Sequence, residues 1–177
     1  MSDRILLARF EAPIGHLVVM QVYAPTSEAA QQDVDSFYNL LQAAVNEQKS
    51  SDFTVLMGDF NAKVGADWAS AGGAFGKFGI GNVNEAGERL IQFVNANNLM
   101  ITNTCYQQGK ANRQWMWELP DGHTQNMIDY ILVPGRWRSS VINSRAYPSA
   151  DIGSDHQLLI ANIRLKLKAM KRVAKVP

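Results

Sequence analysis

The chain is 177 residues long, which is about one domain. Hydrophobic residues make up 46 %, enough to bury a core, and this excludes a disordered chain. Charged residues are 19 % and the formal net charge is +1, so bulk charge selects neither nucleic acid nor any other anionic partner.

The longest apolar runs, Ile5–Ala8, Leu17–Met20 and Ile131–Val133, fall far short of the ~18 residues that a membrane span requires. Met1-Ser2-Asp3-Arg4 leads into no signal-peptide core. The lone Cys105 excludes an internal disulfide and a cysteine-based zinc site, and it suits a reducing compartment. The expectation is an intracellular protein without membrane contact, for which the nucleus is a compatible compartment.

Two β-rich runs, Ile5–Phe10 and Leu17–Tyr23, flank Ala12-Pro13-Ile14-Gly15 and read as a hairpin or adjacent strands. Pro25 stops the second, and Thr26 or Ser27 can cap a helix over Ser27–Gln48. Within that helix Val34, Phe37, Tyr38, Leu41, Ala44 and Val45 keep the spacing of one buried face. Lys49-Ser50-Ser51-Asp52 reads as a polar turn, and Phe53–Met57 as a strand cut off by Gly58. Seven of the thirteen glycines fall between Gly65 and Gly87, which predicts a long exposed loop of functional weight.

A second helix fits Glu85–Asn97, followed by a strand over Leu99–Thr102. A tryptophan-bearing segment (Gln114–Leu119), the turn Pro120-Asp121-Gly122 and strands over Met127–Val133, Val141–Tyr147 and Gln157–Leu165 complete the set. Strands outnumber helices and occur both in hairpins and across helices, so mixed sheets covered by helices are expected. Residues 1–165 form the domain. Residues 166–177 form a tail with five basic side chains, Lys166, Lys168, Lys171, Arg172 and Lys175, which reads first as a solvated end.

Three polar clusters interrupt the apolar strands. In Gly58-Asp59-Phe60-Asn61, an Asp and an Asn two residues apart point the same way off an extended backbone. An Asx turn closing the strand is the competing reading. In Ile128-Asp129-Tyr130 a carboxylate is embedded in a strand, where it needs a partner; a structural salt bridge stays open as an explanation. Ser154-Asp155-His156 sets an acid and an imidazole before the run Leu158-Leu159-Ile160. Carboxylate and amide oxygens favour hard ions such as Mg²⁺ or Mn²⁺, and such an ion suits attack on a phosphodiester by water. The residues alone lead to a metal-assisted phosphate-ester hydrolase.

The order Val22-Tyr23-Ala24-Pro25-Thr26, Gly58-Asp59-Phe60-Asn61, Ile128-Asp129-Tyr130 and Ser154-Asp155-His156 resembles the endonuclease/exonuclease/phosphatase superfamily. The finer signs are Asn61-Ala62-Lys63-Val64-Gly65, Asn84-Glu85-Ala86-Gly87-Glu88-Arg89-Leu90, Asn103-Thr104, and Trp117 before Pro120-Asp121-Gly122. With these the chain is most similar to the apurinic-type endonuclease domains of non-long-terminal-repeat retrotransposons and the craniofacial development protein 2 group. The resemblance implies a partial four-layered α/β sandwich, two packed mixed sheets flanked by helices, from which the family's N-terminal strands are missing.

The resemblance also implies roles. Asp59 would activate the attacking water, Asn61 would steady the transition state, and His156 would contact the scissile phosphate. Asp129 would orient that imidazole, and the Tyr23 hydroxyl would face the phosphate or the leaving oxygen. Asp155 would lie near the metal, and Asn84, Asn103 and Trp117 would bind substrate. The implied activity is Mg²⁺-dependent (Mn²⁺ being an alternative) hydrolysis of DNA phosphodiester bonds. No counterpart of the family's metal-binding glutamate precedes Val22, since Glu11 stands in a different context. Impaired hydrolysis is therefore expected, with DNA held through the loop Gly65–Gly87 and the tail. The alternative is a remnant that serves as a nucleic-acid or protein interaction module, self-associating through exposed sheet edges.

Overall fold

The computed structural model describes residues 3–12, 15–118, 125–148 and 153–165. The turns expected at Pro13-Ile14 and Pro120-Asp121-Gly122, and the basic tail, lie outside them. Five strands form the larger sheet: β1 (Ile5–Ala12), β2 (Gly15–Tyr23), β3 (Phe53–Asp59), β4 (Leu99–Ile101) and β7 (Asp129–Pro134), in the order β1-β2-β3-β7-β4. Only the β2–β3 pair is parallel, and helix α1 (Gln31–Asn46) makes the crossover between them. A short hairpin pairs β5 (Trp117–Glu118) with β6 (Gln125–Asn126), and β8 (Val141–Tyr147) pairs with β9 (Leu158–Ile163) in a separate antiparallel sheet.

Alternation along the strands sorts two cores. Val18, Met20, Val22, Leu56, Tyr130 and Leu132 face α1 and α2 (Glu85–Ala96), meeting Phe37, Leu41, Leu90 and Val94. Phe53, Val55, Ile131 and Val133 face the other way, against Val141, Leu159, Ala161 and Ile163 of the β8–β9 sheet. The described residues thus stack helices, a mixed sheet and a second sheet, the partial α/β sandwich expected from the sequence. On the β8–β9 side of β1, Leu6 (69 % exposed) and Phe10 (52 %) are left uncovered.

Several local expectations are corrected. β3 does not stop at Gly58 but runs through it to Asp59. Gly58 sits at φ +141, and a Cβ there would collide with the Val22 carbonyl oxygen, so only glycine lets β2 and β3 stay paired at this level. Helix α1 begins after Ala30 without a side-chain cap, not at Thr26 or Ser27. The glycine-rich stretch is not exposed throughout. Ala71, Ala74 and Phe75 are buried, and Phe75 bridges Ile101, so the loop covers the free side of β4. Asp52, read as part of a polar turn, is also buried.

Candidate active site

Tyr23, Asp59 and Asp129 form one row across three neighbouring strands. Tyr23 is opposite Asp59 in the β2–β3 pair, and Asp59 is opposite Asp129 in the β3–β7 pair. Residues opposite each other in a ladder share a face, and neighbouring strands lie about 4.8 Å apart. All three therefore emerge at the rim where β2 and β3 end and β7 begins, on the face towards β8 and β9. Strand β9 follows His156 after a single residue, and the His156 Nδ1 lies 2.8 Å from Asp129 Oδ2. The two packed sheets thus bring their polar ends to one mouth.

Asn61 arrives there differently from the sequence expectation. The backbone is no longer extended beyond Asp59: Asn61 has φ +47. Its N–H donates to Asp59 Oδ1 at 2.8 Å, the Asx turn that competed with the functional reading. Its side-chain amide donates to the Ala24 carbonyl oxygen at 2.9 Å, just after Tyr23. The turn orients one oxygen of the Asp59 carboxylate. Tyr130, one residue beyond Asp129, is fully buried, and its hydroxyl donates to the Met127 or Ala62 carbonyl oxygen (2.6 and 3.0 Å) while accepting from Val64 N–H at 3.3 Å. That phenol ties the segment after Asn61 to the entrance of β7.

The hairpin β5–β6 holds the histidine loop. Trp117 pairs with Asn126 on one side and bridges His156 on the other. Its indole N–H donates to Asp155 Oδ2 at 3.0 Å, and Gln157 N–H donates to the Met116 carbonyl oxygen at 2.6 Å. Asn84 and Asn103 are engaged in the fold. The Asn84 oxygen caps α2 by accepting from Gly87 N–H and also accepts from Lys63 N–H, both at 2.9 Å. Asn103 is 4 % exposed, with both ends of its amide on the backbone of β7.

Electrostatics at the mouth follow from crowding. Burial raises the Asp59 carboxyl above its ordinary value, helped by the Asp129 and Asp155 charges and opposed by the Asn61 N–H and by His156. The Asp129 carboxyl is raised too, burial outweighing its bond to His156. For His156, burial is the largest single influence and acts downward, but the Asp129 hydrogen bond and charge, with Asp59 and Asp155, outweigh it and raise the imidazole. Asp155 is fully exposed and is lowered, first by the Trp117 hydrogen bond. A carboxyl raised in this way is a stronger base, and a raised imidazole keeps its proton to higher pH than a free one.

The fit to a divalent ion is incomplete. Oxygen donors are present, but among the described residues no group of three or more His, Cys, Asp or Glu side chains is placed to hold a metal ion. Asp129 is turned to His156 and Asp155 to Trp117.

Comparison with known proteins gives a consistent picture. Residues 17–160 match the family described as endonuclease-reverse transcriptase. Craniofacial development protein 2 of Bos taurus is 45 % identical over 174 residues, covering 98 % of this chain and 29 % of that protein. Its counterpart in Tragulus javanicus is 44 % identical over 98 % of this chain and 30 % of its own length. The chain therefore spans less than a third of these curated relatives. The endonuclease domain of TRAS1, a telomere-specific non-LTR retrotransposon, superposes with a TM-score of 0.64 at 14 % identity, over 93 % of this chain and 64 % of that one. The 3'-5' exonuclease NExo from Neisseria meningitidis gives 0.62 at 16 % identity, over 92 % and 65 %. At these identities the two structures establish a shared fold.

Proposed function

Because the chain belongs to the endonuclease-reverse transcriptase family, we propose that it hydrolyses phosphodiester bonds of DNA at the mouth between its two sheets. The observation that carries this reading is the row Tyr23–Asp59–Asp129 with His156 hydrogen-bonded to its last member. DNA as substrate is supported by the solved neighbours, one an endonuclease domain and another a 3' phosphatase bound to a product DNA hairpin.

In this reaction Asp59 accepts a proton from water as the water oxygen bonds to phosphorus, and the bond to the leaving sugar oxygen breaks. The Asx turn keeps one Asp59 oxygen on Asn61 N–H, which aims the other at the water. His156, turned by its Nδ1 towards Asp129, offers Nε2 to a phosphate oxygen as negative charge builds there. The Tyr23 O–H donates to the leaving oxygen, which takes its proton there as the bond breaks, the phenolate being reprotonated from water, and Asn61 sets the edge of the site through Ala24. Trp117, through Asp155, fixes the loop that presents the histidine. Substrate contact by Asn84 is confined to what its capped amide leaves free.

A hard divalent ion, Mg²⁺ or Mn²⁺, would neutralise charge on the phosphate. Among the described residues no donor set completes a cage for one, and His156 is the described group placed to meet that charge. A transition-state contact of this kind is worth on the order of 10²–10³ in rate. A second reading, an interaction module, is favoured by one observation: β1 is the sheet's outer strand and exposes Leu6 and Phe10. The deciding experiment measures nicking of supercoiled plasmid with and without Mg²⁺, for the wild type and Asp59→Ala, beside sedimentation of the same samples. Slow nicking that vanishes in Asp59→Ala supports the hydrolase. No nicking by a self-associated wild type supports the interaction module.

A further inference from the structure

The last backbone pair between β4 and β7 is Ile101 with Leu132, so β4 ends before the level of Asp129. Ahead of Leu132, the polar groups of β7 on that side face no strand, and buried backbone groups need partners. Two side chains take the strand's place. Asn103 Nδ2 donates to the Asp129 carbonyl oxygen at 3.1 Å, and Asn103 Oδ1 accepts from Ile131 N–H at 3.3 Å. The Thr102 hydroxyl donates to the Ile131 carbonyl oxygen at 2.8 Å. On the other side of β7, Phe60 N–H donates to the Ile128 carbonyl oxygen. The segment that carries Asp129 is therefore gripped from both sides.

The same turn reaches the second sheet. Thr102 Oγ1 lies 3.0 Å from Ser144 Oγ, in the middle of β8, whose partner β9 follows His156. Both Thr102 and Ser144 are fully buried. One polar turn thus fixes the backbone of the aspartate and joins it to the sheet that presents the histidine. The geometry points to Asn103 as a positioning residue, which sets the Asp129 backbone so that its carboxylate meets His156 Nδ1, with Thr102 locking that arrangement to the second sheet. This inference rests on the reading of the mouth as a phosphodiesterase site. It assigns Asn103 a task that its burial permits, where contact with substrate is not permitted.

The residue type follows from the geometry. One planar group must donate to a carbonyl oxygen and accept from an N–H at the spacing of one strand, which a carboxamide does. Aspartate keeps the acceptor for Ile131 but turns a second oxygen on the Asp129 carbonyl. Leucine keeps the volume and loses both bonds.

The test uses the 15N-labelled full chain and reads the hydrogen-bonded Nδ1–H proton of His156 by NMR at low temperature. The wild type is expected to show this downfield proton, and Asp129→Ala to lose it. In Asn103→Asp, Ile131 amide protection persists while the His156 proton weakens or moves upfield, and in Asn103→Leu both are lost. Where the wild type nicks DNA, kcat of Asn103→Asp falls on the order of tenfold with KM unchanged, as for a group displaced within the site. Should the Asn103 variants fail to fold, Thr102→Val, which breaks the link to Ser144, is expected to shift the same proton. An unchanged His156 proton in folded variants at both positions overturns the proposal, whether or not the chain nicks DNA. A proton that responds in a chain without nicking upholds the positioning role and leaves only the phosphodiesterase reading to fall.

Discussion

Strand β3 has a carboxylate at each end, and their surroundings are opposite. Asp52, just before the strand, is buried with Arg9 Nη1 at 3.1 Å and His16 Nδ1 at 3.4 Å from its carboxylate, and Arg136 donates to its carbonyl oxygen at 3.2 Å. Asp59, the last residue, is half-buried in a row with Asp129, near Asp155, with His156 opposing their charge. One end of the strand has its charge compensated and ties the hairpin β1–β2 to the turn after α1. The other keeps several carboxylates together at a rim, where burial first, and the Asp129 and Asp155 charges after it, raise the Asp59 carboxyl above its ordinary value. A compensated carboxylate holds a fold together; a crowded one costs stability and gains reactivity.

Exchanging each carboxylate for its amide puts this contrast to the test. Asp59→Asn removes the base proposed above and is expected to lower nicking by 10²-fold or more, on the order of 3 kcal/mol of barrier. The same change relieves the crowding and is expected to raise unfolding free energy by about 0.5–1 kcal/mol. Plasmid nicking and urea unfolding on one preparation check both signs. A variant that loses stability along with activity would show that Asp59 is a structural residue like Asp52.

At the compensated end the expected effect is on stability alone. Asp52→Ala removes charge-assisted hydrogen bonds from a fully buried acceptor and is expected to cost about 2 kcal/mol. Full loss of a buried pair can cost more, 3–5 kcal/mol in round terms. Here Arg9 and His16 are each more than a third exposed and can rehydrate, which sets the lower value. At about 2–4 °C per kcal/mol for a chain of this size, the melting temperature falls by roughly 4–8 °C. Nicking by the folded fraction stays unchanged.

The pH dependence separates the two ends more finely. His156 is raised, so its ion pair stabilises the fold fully below the ordinary value of 6.5 and loses that contribution as pH rises through the folded value. Asp59 and Asp129 are raised from 3.8, so ionising them also costs stability as pH rises above the ordinary carboxylate range. Both effects have the same sign. Thermal melts from pH 5 to pH 8 are expected to show stability falling with pH, with a smaller slope in Asp129→Asn. An equal slope in that variant would place the pH dependence elsewhere.

How much of this was legible in the sequence depends on what signals each group. Asp59, Asp129 and His156 interrupt or precede apolar β-rich runs, and a charge in such a place has to sit at a strand end or a rim. Their shared mouth follows from the order of the strands, which the four motifs carry. Gly58 looked like a stop because glycine usually punctuates a strand; here the missing Cβ lets the strand continue past Val22. Asp52 was illegible because Lys49-Ser50-Ser51-Asp52 has the composition of an exposed turn, and its burial depends on Arg9 and His16, far away in sequence. Thr102 was illegible for a related reason. Side chains that replace a strand's backbone leave no periodicity, so a polar turn and a polar clamp read alike.

The smallest expected effect calibrates the comparison. Arg89 Nη2 meets Asp35 Oδ1 at 2.8 Å, a shorter contact than Arg9 to Asp52 at 3.1 Å. If distance set the energy, the α1–α2 pair would be the stronger. Its two side chains, however, are 41 % and 46 % exposed, against 1 % for Asp52. Water and salt screen an exposed pair, and ordering two long side chains offsets part of the attraction. Asp35→Ala is therefore expected to cost no more than about 0.5 kcal/mol, and less again in high salt. Arg89→Ala should cost somewhat more than its partner, because the guanidinium also lies 5.4 Å from the centre of the Tyr38 ring, a contact that loss of Asp35 leaves in place. Urea unfolding of Asp35→Ala, Arg89→Ala and Asp52→Ala at low and high salt gives all the values. An Asp35→Ala loss as large as that of Asp52→Ala would show that burial does not decide what a carboxylate contributes in this fold.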